Sequence, residues 1–200
     1  MRVTCILGSP RPRGNSAALA GCFCAEATRH GALVELFSLN TLRFHGCQGC
    51  ESCKTRLDRC ALDDGLTPVL ESVRGADVVV LASPIYYGDV SSQLKAFIDR
   101  TYSFVVPDYR TNPKPHRFAT SKELVFILTQ SNPDERMCAD VFPRYGVFFG
   151  VMGFERRHLI RACGVHELGA VEQRTELLNA ACATAGQICR AVDPDRAMTC

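Results

Sequence analysis

Residues 77–82 read Asp-Val-Val-Val-Leu-Ala, an apolar, largely β-branched run with no polar alternation. A strand that is apolar on both sides has to be covered on both faces, the situation of a parallel sheet between helical layers. The rest of the chain repeats the unit this implies. Residues 3–7 form a short apolar run that stops at Gly8-Ser9-Pro10, a turn signal. Asn15-Ser16 reads as an N-cap pair for an Ala-rich helix over 17–30, which Gly31 ends. A second strand is expected over 33–39, a long cysteine-bearing segment over 40–66, and a short helix over 67–74 with Pro68 at its first position. Ser91 opens a helix with Leu94, Phe97 and Ile98 on one face. Residues 105–121, rich in Pro, Lys and Arg, read as a loop, and 124–129 as a fourth strand. Pro133-Asp134-Glu135 marks a helix start reaching toward 152, although Pro143 and Gly146 interrupt the pattern. A fifth strand over 155–162 and a closing helix over 171–190 complete the series. Five strands alternating with helices predict a doubly wound α/β sandwich with a five-stranded parallel sheet, for which the order 2-1-3-4-5 is taken. No repeat or linker divides the 200 residues, so one domain is expected over 1–200, with a cysteine-rich insertion at about 44–62.

A net charge of +2 and the lack of any Lys/Arg block argue against a nucleic-acid partner. The most apolar stretch, 145–154, is broken by glycines and flanked by Arg144 and Arg156, well short of the ~18 apolar residues of a membrane span. The N-terminus lacks the pattern of a secretory signal, so a cytoplasmic location is expected, where structural disulfides are rare. Against that background the 12 cysteines stand out.

Two loops carry ligand chemistry. The segment from Gly8 to Ser16 lies between a strand and a helix, where backbone N–H groups and the helix dipole favour an anion. Ser9, Asn15 and Ser16 add donors, and Arg11 and Arg13 add charge. The loop is neither G-x-G-x-x-G nor a P-loop, and suits a terminal monophosphate; a hydrophilic loop that merely caps its helix is the alternative. After the third strand comes Ser83-Pro84-Ile85-Tyr86-Tyr87-Gly88-Asp89. With strand order 2-1-3-4-5 the crevice lies between strands one and three, the strands these loops follow. Pro84, Tyr86, Tyr87 and Gly88 offer flat apolar surface and backbone donors to a planar ring.

Gly8-Ser-Pro-Arg-Pro-Arg-Gly-Asn-Ser16, Ser83-Pro-Ile-Tyr-Tyr-Gly88 and the following Ser91-Ser-Gln-Leu-Lys-Ala-Phe-Ile-Asp-Arg100 together resemble the NADPH-dependent FMN reductase and iron–sulfur flavoprotein branch of the flavodoxin-like superfamily. The resemblance is strongest over 3–100. It implies that Ser9, Arg11, Asn15 and Ser16, with Arg13 beside them, hold an FMN phosphate, and that Pro84, Ile85, Tyr86, Tyr87 and Gly88 flank the isoalloxazine. It also implies a third contact loop at Thr129-Gln130-Ser131-Asn132, which here lacks the expected glycine.

Cys47-x-x-Cys50-x-x-Cys53-x6-Cys60 puts four thiols in 14 residues, with Gly46 and Gly49 permitting a tight backbone. Compact runs of this kind suit a [4Fe–4S] cluster, whose charge Lys54, Arg56 and Arg59 would offset. The pattern, with Asp63-Asp64 after it, also resembles the compact motif of the iron–sulfur flavoproteins. Zinc on four cysteines and a loop of free thiols are the competing readings. The other eight cysteines (5, 22, 24, 138, 163, 182, 189, 200) are read as small core or surface residues. His45 and His116 are expected at the surface, and Asp63 and Asp64 in a turn or at a helix start.

The expected function is an FMN-dependent oxidoreductase passing electrons to a cluster or partner acceptor, either a redox protein or a small quinone or flavin, with NAD(P)H a donor. Flavin chemistry needs no protein acid or base, so no catalytic residue is nominated. An NAD(P)H-dependent FMN or quinone reductase without a cluster is the alternative. A flavodoxin-like electron carrier and a thiol-rich sensor module are readings from other classes. Assembly into a homodimer or homotetramer is expected through 145–154 and 105–121.

Overall fold

The computed structural model describes residues 1–192. Cys200 therefore lies outside the described residues. Five parallel strands, β1 (Arg2–Leu7), β2 (Leu33–Ser38), β3 (Val78–Tyr86), β5 (Lys122–Thr129) and β6 (Phe154–Ala162), are ordered β2-β1-β3-β5-β6. A sixth, β4 (Asp89–Val90), is antiparallel and pairs only with the end of β3. The expected five-stranded order thus holds for the parallel strands but omits β4, and it ends β3 four residues too early. Tyr87 and Gly88 explain both differences. Their φ angles of 49° and 82° make a two-residue hairpin turn, which folds the chain back so that Ile85 pairs with Val90 and Tyr86 with Asp89.

Burial follows the sheet's two covered faces. All eight residues of β5, an interior strand, are buried, as are the first six of the central β3. On one face pack α1 (Asn15–Arg29) and α6 (Thr175–Val192). The buried positions of α1, namely Ser16, Leu19, Ala20, Phe23, Cys24 and Ala27, recur every three or four residues. On the other face pack α3 (Thr67–Gly75), α4 (Ser92–Arg100) and α5 (Val141–Val151), around Phe97, Phe104, Phe126, Phe149 and Phe154. Each such buried ring contributes about 1.5–3 kcal/mol of burial free energy. A single-turn helix, α2 (Ser52–Thr55), lies in the cysteine segment.

Three local expectations are corrected. Asn15 is not part of a cap: Gly14 is the N-cap, no side chain caps α1, and Asn15 is its first residue. The helix expected from Pro133 begins only at Val141, because Cys138 has a left-handed φ of 60° and Pro143 is tolerated only in a first turn. His116 is half-buried rather than surface-exposed. The 105–121 loop folds back at a Val105–His116 bridge and sets the imidazole against the Phe118 ring, 5.8 Å between centroids. His45 is exposed, as expected.

Candidate flavin cleft and cysteine site

The C-terminal ends of β1, β3, β5 and β6 open onto one cleft of about 180 Å³. From the first loop it is lined by Ser9, Arg11, Gly14, Asn15 and Ser16, and from the β3 end by Pro84, Ile85 and Tyr86. Thr129, Gln130 and Ser131 form a third wall, and Val165, His166 and Leu168 a fourth. Most candidate cofactor residues therefore converge. Arg13 is exposed and does not line the cleft. Tyr87 and Gly88 form the hairpin tip outside it, with the Tyr87 side chain fully in solvent.

The first wall is built for an anion. The α1 N-terminus carries no side-chain cap, so its first N–H groups remain available to a ligand. Ser9 is buried and accepts the Arg11 N–H at 3.1 Å, which folds the loop over the helix end. A Cβ on Gly14 would sit 3.0 Å from Ser9 Oγ and 3.2 Å from the Arg11 carbonyl, so any side chain there would crowd the loop. These donors and Arg11 fit a phosphate monoester.

The fourth wall was not legible in the sequence. Asn15 holds it: its Nδ2 donates to the Glu167 carbonyl (2.9 Å) and the Val165 carbonyl (3.4 Å), and its Oδ1 accepts the Val171 N–H (3.3 Å). Gln130 orders the third wall, donating to the Asn132 and Asp134 carbonyls at 2.8 and 3.0 Å while accepting from Arg161 at 2.7 Å. At the hairpin, Asp89 accepts from the Tyr145 hydroxyl (2.8 Å), Arg144 (2.9 Å) and the Val90 N–H (2.7 Å). Burial pushes the Asp89 carboxyl up, but these bonds outweigh it and hold it below the usual carboxylate range.

The four cysteines 47, 50, 53 and 60 line a second hollow, together with Leu62, Arg100 and Tyr102. Gly49 and Glu51 take left-handed φ angles of 61° and 54°, which bend the chain around it. Cys47 and Cys50 are exposed, and Cys53 and Cys60 half-buried. The Ser52 backbone N–H and hydroxyl hold the Cys50 thiol below its ordinary range, whereas burial raises Cys53. Among the described residues no three His, Cys, Asp or Glu side chains are grouped to hold a single metal ion. The donor set, four thiols around one hollow, suits a multi-iron cluster. The cations expected to offset its charge are differently engaged. Lys54 donates to the Tyr102 and Val105 carbonyls, Arg56 donates to Ser52 Oγ (3.1 Å), and Arg59 is exposed. Asp64 accepts from His45 N–H (3.1 Å), Leu66 N–H (3.0 Å) and Arg100 (2.9 Å), and Asp63 accepts from the Thr67 hydroxyl, so both serve the turn before α3. Arg100 itself was missed, although it continues the Leu94–Phe97 stripe by three residues, a charge on a buried face.

The remaining cysteines are free thiols among the described residues. Cys5, Cys24 and Cys189 are buried, and Cys22, Cys138, Cys163 and Cys182 are half-buried.

The sheet order and the crevice at its switch point are those of a flavodoxin-like protein. The fold is shared with an NAD(P)H:quinone oxidoreductase from Methanothermobacter marburgensis, with TM-score 0.70, 16% identity, and coverage of 92% of this chain and 95% of that one. It is shared too with an FMN-dependent NADH-azoreductase from Bacillus anthracis, with TM-score 0.67, 12% identity, and coverage of 94% and 100%. The sequence profile of the NADPH-dependent FMN reductase family matches residues 1–127, and the chain belongs to that family. It is also similar to an iron–sulfur flavoprotein of Methanocaldococcus jannaschii, 37% identical over 101 residues, covering 50% of this chain and 52% of the relative. An iron–sulfur flavoprotein of Methanosarcina thermophila is 32% identical over 101 residues, with the same coverage. The chain spans about half the length of the curated relatives it matches. No helix among the described residues is long and apolar enough to cross a membrane.

Proposed function

We propose that this chain is an FMN-dependent oxidoreductase that passes electrons between FMN and a [4Fe–4S] cluster or a partner acceptor. The observation that carries the reading is the convergence of four loops, from the ends of β1, β3, β5 and β6, on one cleft with an anion-binding wall and an apolar wall. Bound FMN would supply hydride acceptance and one-electron exchange. The protein's part is positioning. The α1 N-terminus, Ser9, Ser16 and Arg11 hold the phosphate. Pro84, Ile85 and Tyr86 flank the ring, with Tyr87 and Gly88 at the mouth. Thr129 and the 165–168 wall close the far side, and Arg13 and Asn15 support the loop. Cys47, Cys50, Cys53 and Cys60 would hold the cluster. NAD(P)H is the proposed donor and a redox protein, quinone or free flavin the acceptor, in the cytoplasm.

A second reading, an NAD(P)H-dependent FMN or quinone reductase without metal, is favoured by one observation. The cysteine hollow measures about 20 Å³, near the room of a single water, so seating a cluster requires the exposed 47–51 arc to open. Purification without oxygen, followed by an absorption spectrum and iron and zinc analysis, separates the two. Flavin bands with about four irons per chain are expected. Flavin without iron selects the second reading, and absence of both overturns each.

A homo-oligomer is part of the proposal. α5 exposes Val147, Phe148 and Val151 beside an apolar groove of about 770 Å³ that also touches Ile98, Tyr102 and Tyr109. Covering that face by a second copy removes a large apolar patch from water.

A further inference from the structure

We propose that Arg100 is the positioning residue of the cysteine site: it fixes the Cys60 sulfur and raises the reduction potential of the cluster, an inference that rests on the cluster reading above. Its side chain is wholly buried. The guanidinium spends its fork on one place, the root of the cysteine loop. Nε donates to Cys60 Sγ at 2.9 Å, Nη1 to the His45 carbonyl (2.8 Å) and Asp64 Oδ2 (2.9 Å), and Nη2 to the Leu62 carbonyl (3.1 Å). These contacts bracket the loop from 45 to 64 and close it into a ring around the hollow. Among the described residues no other Lys or Arg hydrogen-bonds one of the four sulfurs.

A buried cation persists only where anions and carbonyls satisfy it. Asp64 supplies one anion, and a thiolate at Cys60 would supply a second with the cluster bound. An N–H···S bond from a fixed cation withdraws charge from the sulfur. That favours the more negative, reduced state, a recognised means of tuning iron–sulfur centres. Arginine suits the task because it keeps its proton.

The position of Arg100 links this control to the flavin cleft. α4 has nine residues and spans about 14 Å. Its N-cap Ser91 accepts the Leu94 N–H at 3.3 Å, donates its hydroxyl to the Gly8 carbonyl at 2.6 Å, and donates its own N–H to Ser83 Oγ at 2.9 Å. Gly8 and Ser83 begin the two cleft loops. One rigid helix is thus pinned to the flavin loops at one end and to a cysteine sulfur at the other, which fixes their separation.

The test compares the parent with Arg100→Lys and Arg100→Gln, each purified without oxygen and loaded with iron. Iron per chain and the cluster's midpoint potential are measured. Lysine keeps the charge and is the variant expected to fold, but it cannot reproduce the fork. The expected result for Arg100→Lys is retained iron with a cluster about tenfold harder to reduce, about 59 mV lower. Arg100→Gln is expected to lose iron as well. Potentials and iron unchanged in both variants, with a fully loaded parent, would overturn the proposal while leaving the cluster reading intact. A parent that takes up no iron overturns the cluster reading, and this inference with it.

Discussion

Replacing Asn15 by Ala separates two roles that its position allows. Its three hydrogen bonds, to the carbonyls of Glu167 and Val165 and from the N–H of Val171, tie α1 to the segment that forms the fourth cleft wall. The bond at 3.4 Å is near the geometric limit and counts for little. The other two are each worth about 0.5–1.5 kcal/mol net, so their loss costs about 1–3 kcal/mol. For a domain of this size, 1 kcal/mol lowers Tm by about 2–4 °C, which predicts a fall of roughly 2–12 °C in the flavin-free protein. A loosened wall weakens any ligand that touches it, so affinity for FMN and for riboflavin should fall together. Asn15→Asp is a sharper version. It keeps the acceptor for Val171 but points a carboxylate at two carbonyls beside the phosphate site, and should weaken FMN more than riboflavin. The assays are thermal melts of the flavin-free protein and fluorescence titrations with both flavins. An unchanged Tm for Asn15→Ala, with only FMN binding lost, would show that Asn15 is a phosphate ligand and not a wall anchor, and would refute this reasoning.

Other consequences are as direct. Asp64 is held below the ordinary carboxylate range because bonds from Arg100, His45 and Leu66 outweigh its burial. Its contribution is therefore complete at neutral pH and is lost as pH falls through that lowered value. Hydrogen exchange over 45–64 should accelerate there in the parent, while Asp64→Asn should exchange fast at every pH. A Cβ on Gly8 would lie 2.7 Å from the Leu94 Cβ, so Gly8→Ala should cost about 1–3 kcal/mol in denaturant unfolding and weaken FMN by shifting the first loop. Phe148 is 60% exposed beside the apolar groove; Phe148→Glu should leave flavin binding intact and reduce the mass found by light scattering to that of one chain.

What the sequence disclosed depended on how local the signal was. The continuous run in β3, the Ala-rich stretch of α1 and the turn at Gly8 are each written in neighbouring residues, and the parallel sheet and the first two cleft walls follow from them. β4 was hidden because its turn uses Tyr87 at positive φ, which only Gly, Asn or Asp would advertise. The late start of α5 is legible in Pro143, which a helix accepts only in its first turn. The fourth wall was illegible, since 163–171 has no motif and is placed by an asparagine some 150 positions away. The cysteine spacing announced itself, but its organiser lies 40 residues on from Cys60 and reads locally as an ordinary helix-ending arginine.

The central claim is that one chain carries a flavin and a cluster that both accept electrons. It is tested by titrating the protein, purified without oxygen, with a measured reductant while the flavin and cluster absorbances are followed. About three electron equivalents per chain, two taken up by the flavin and one by the iron, is the predicted result. An end point at about two equivalents, reached when the flavin bands alone have bleached, would contradict it.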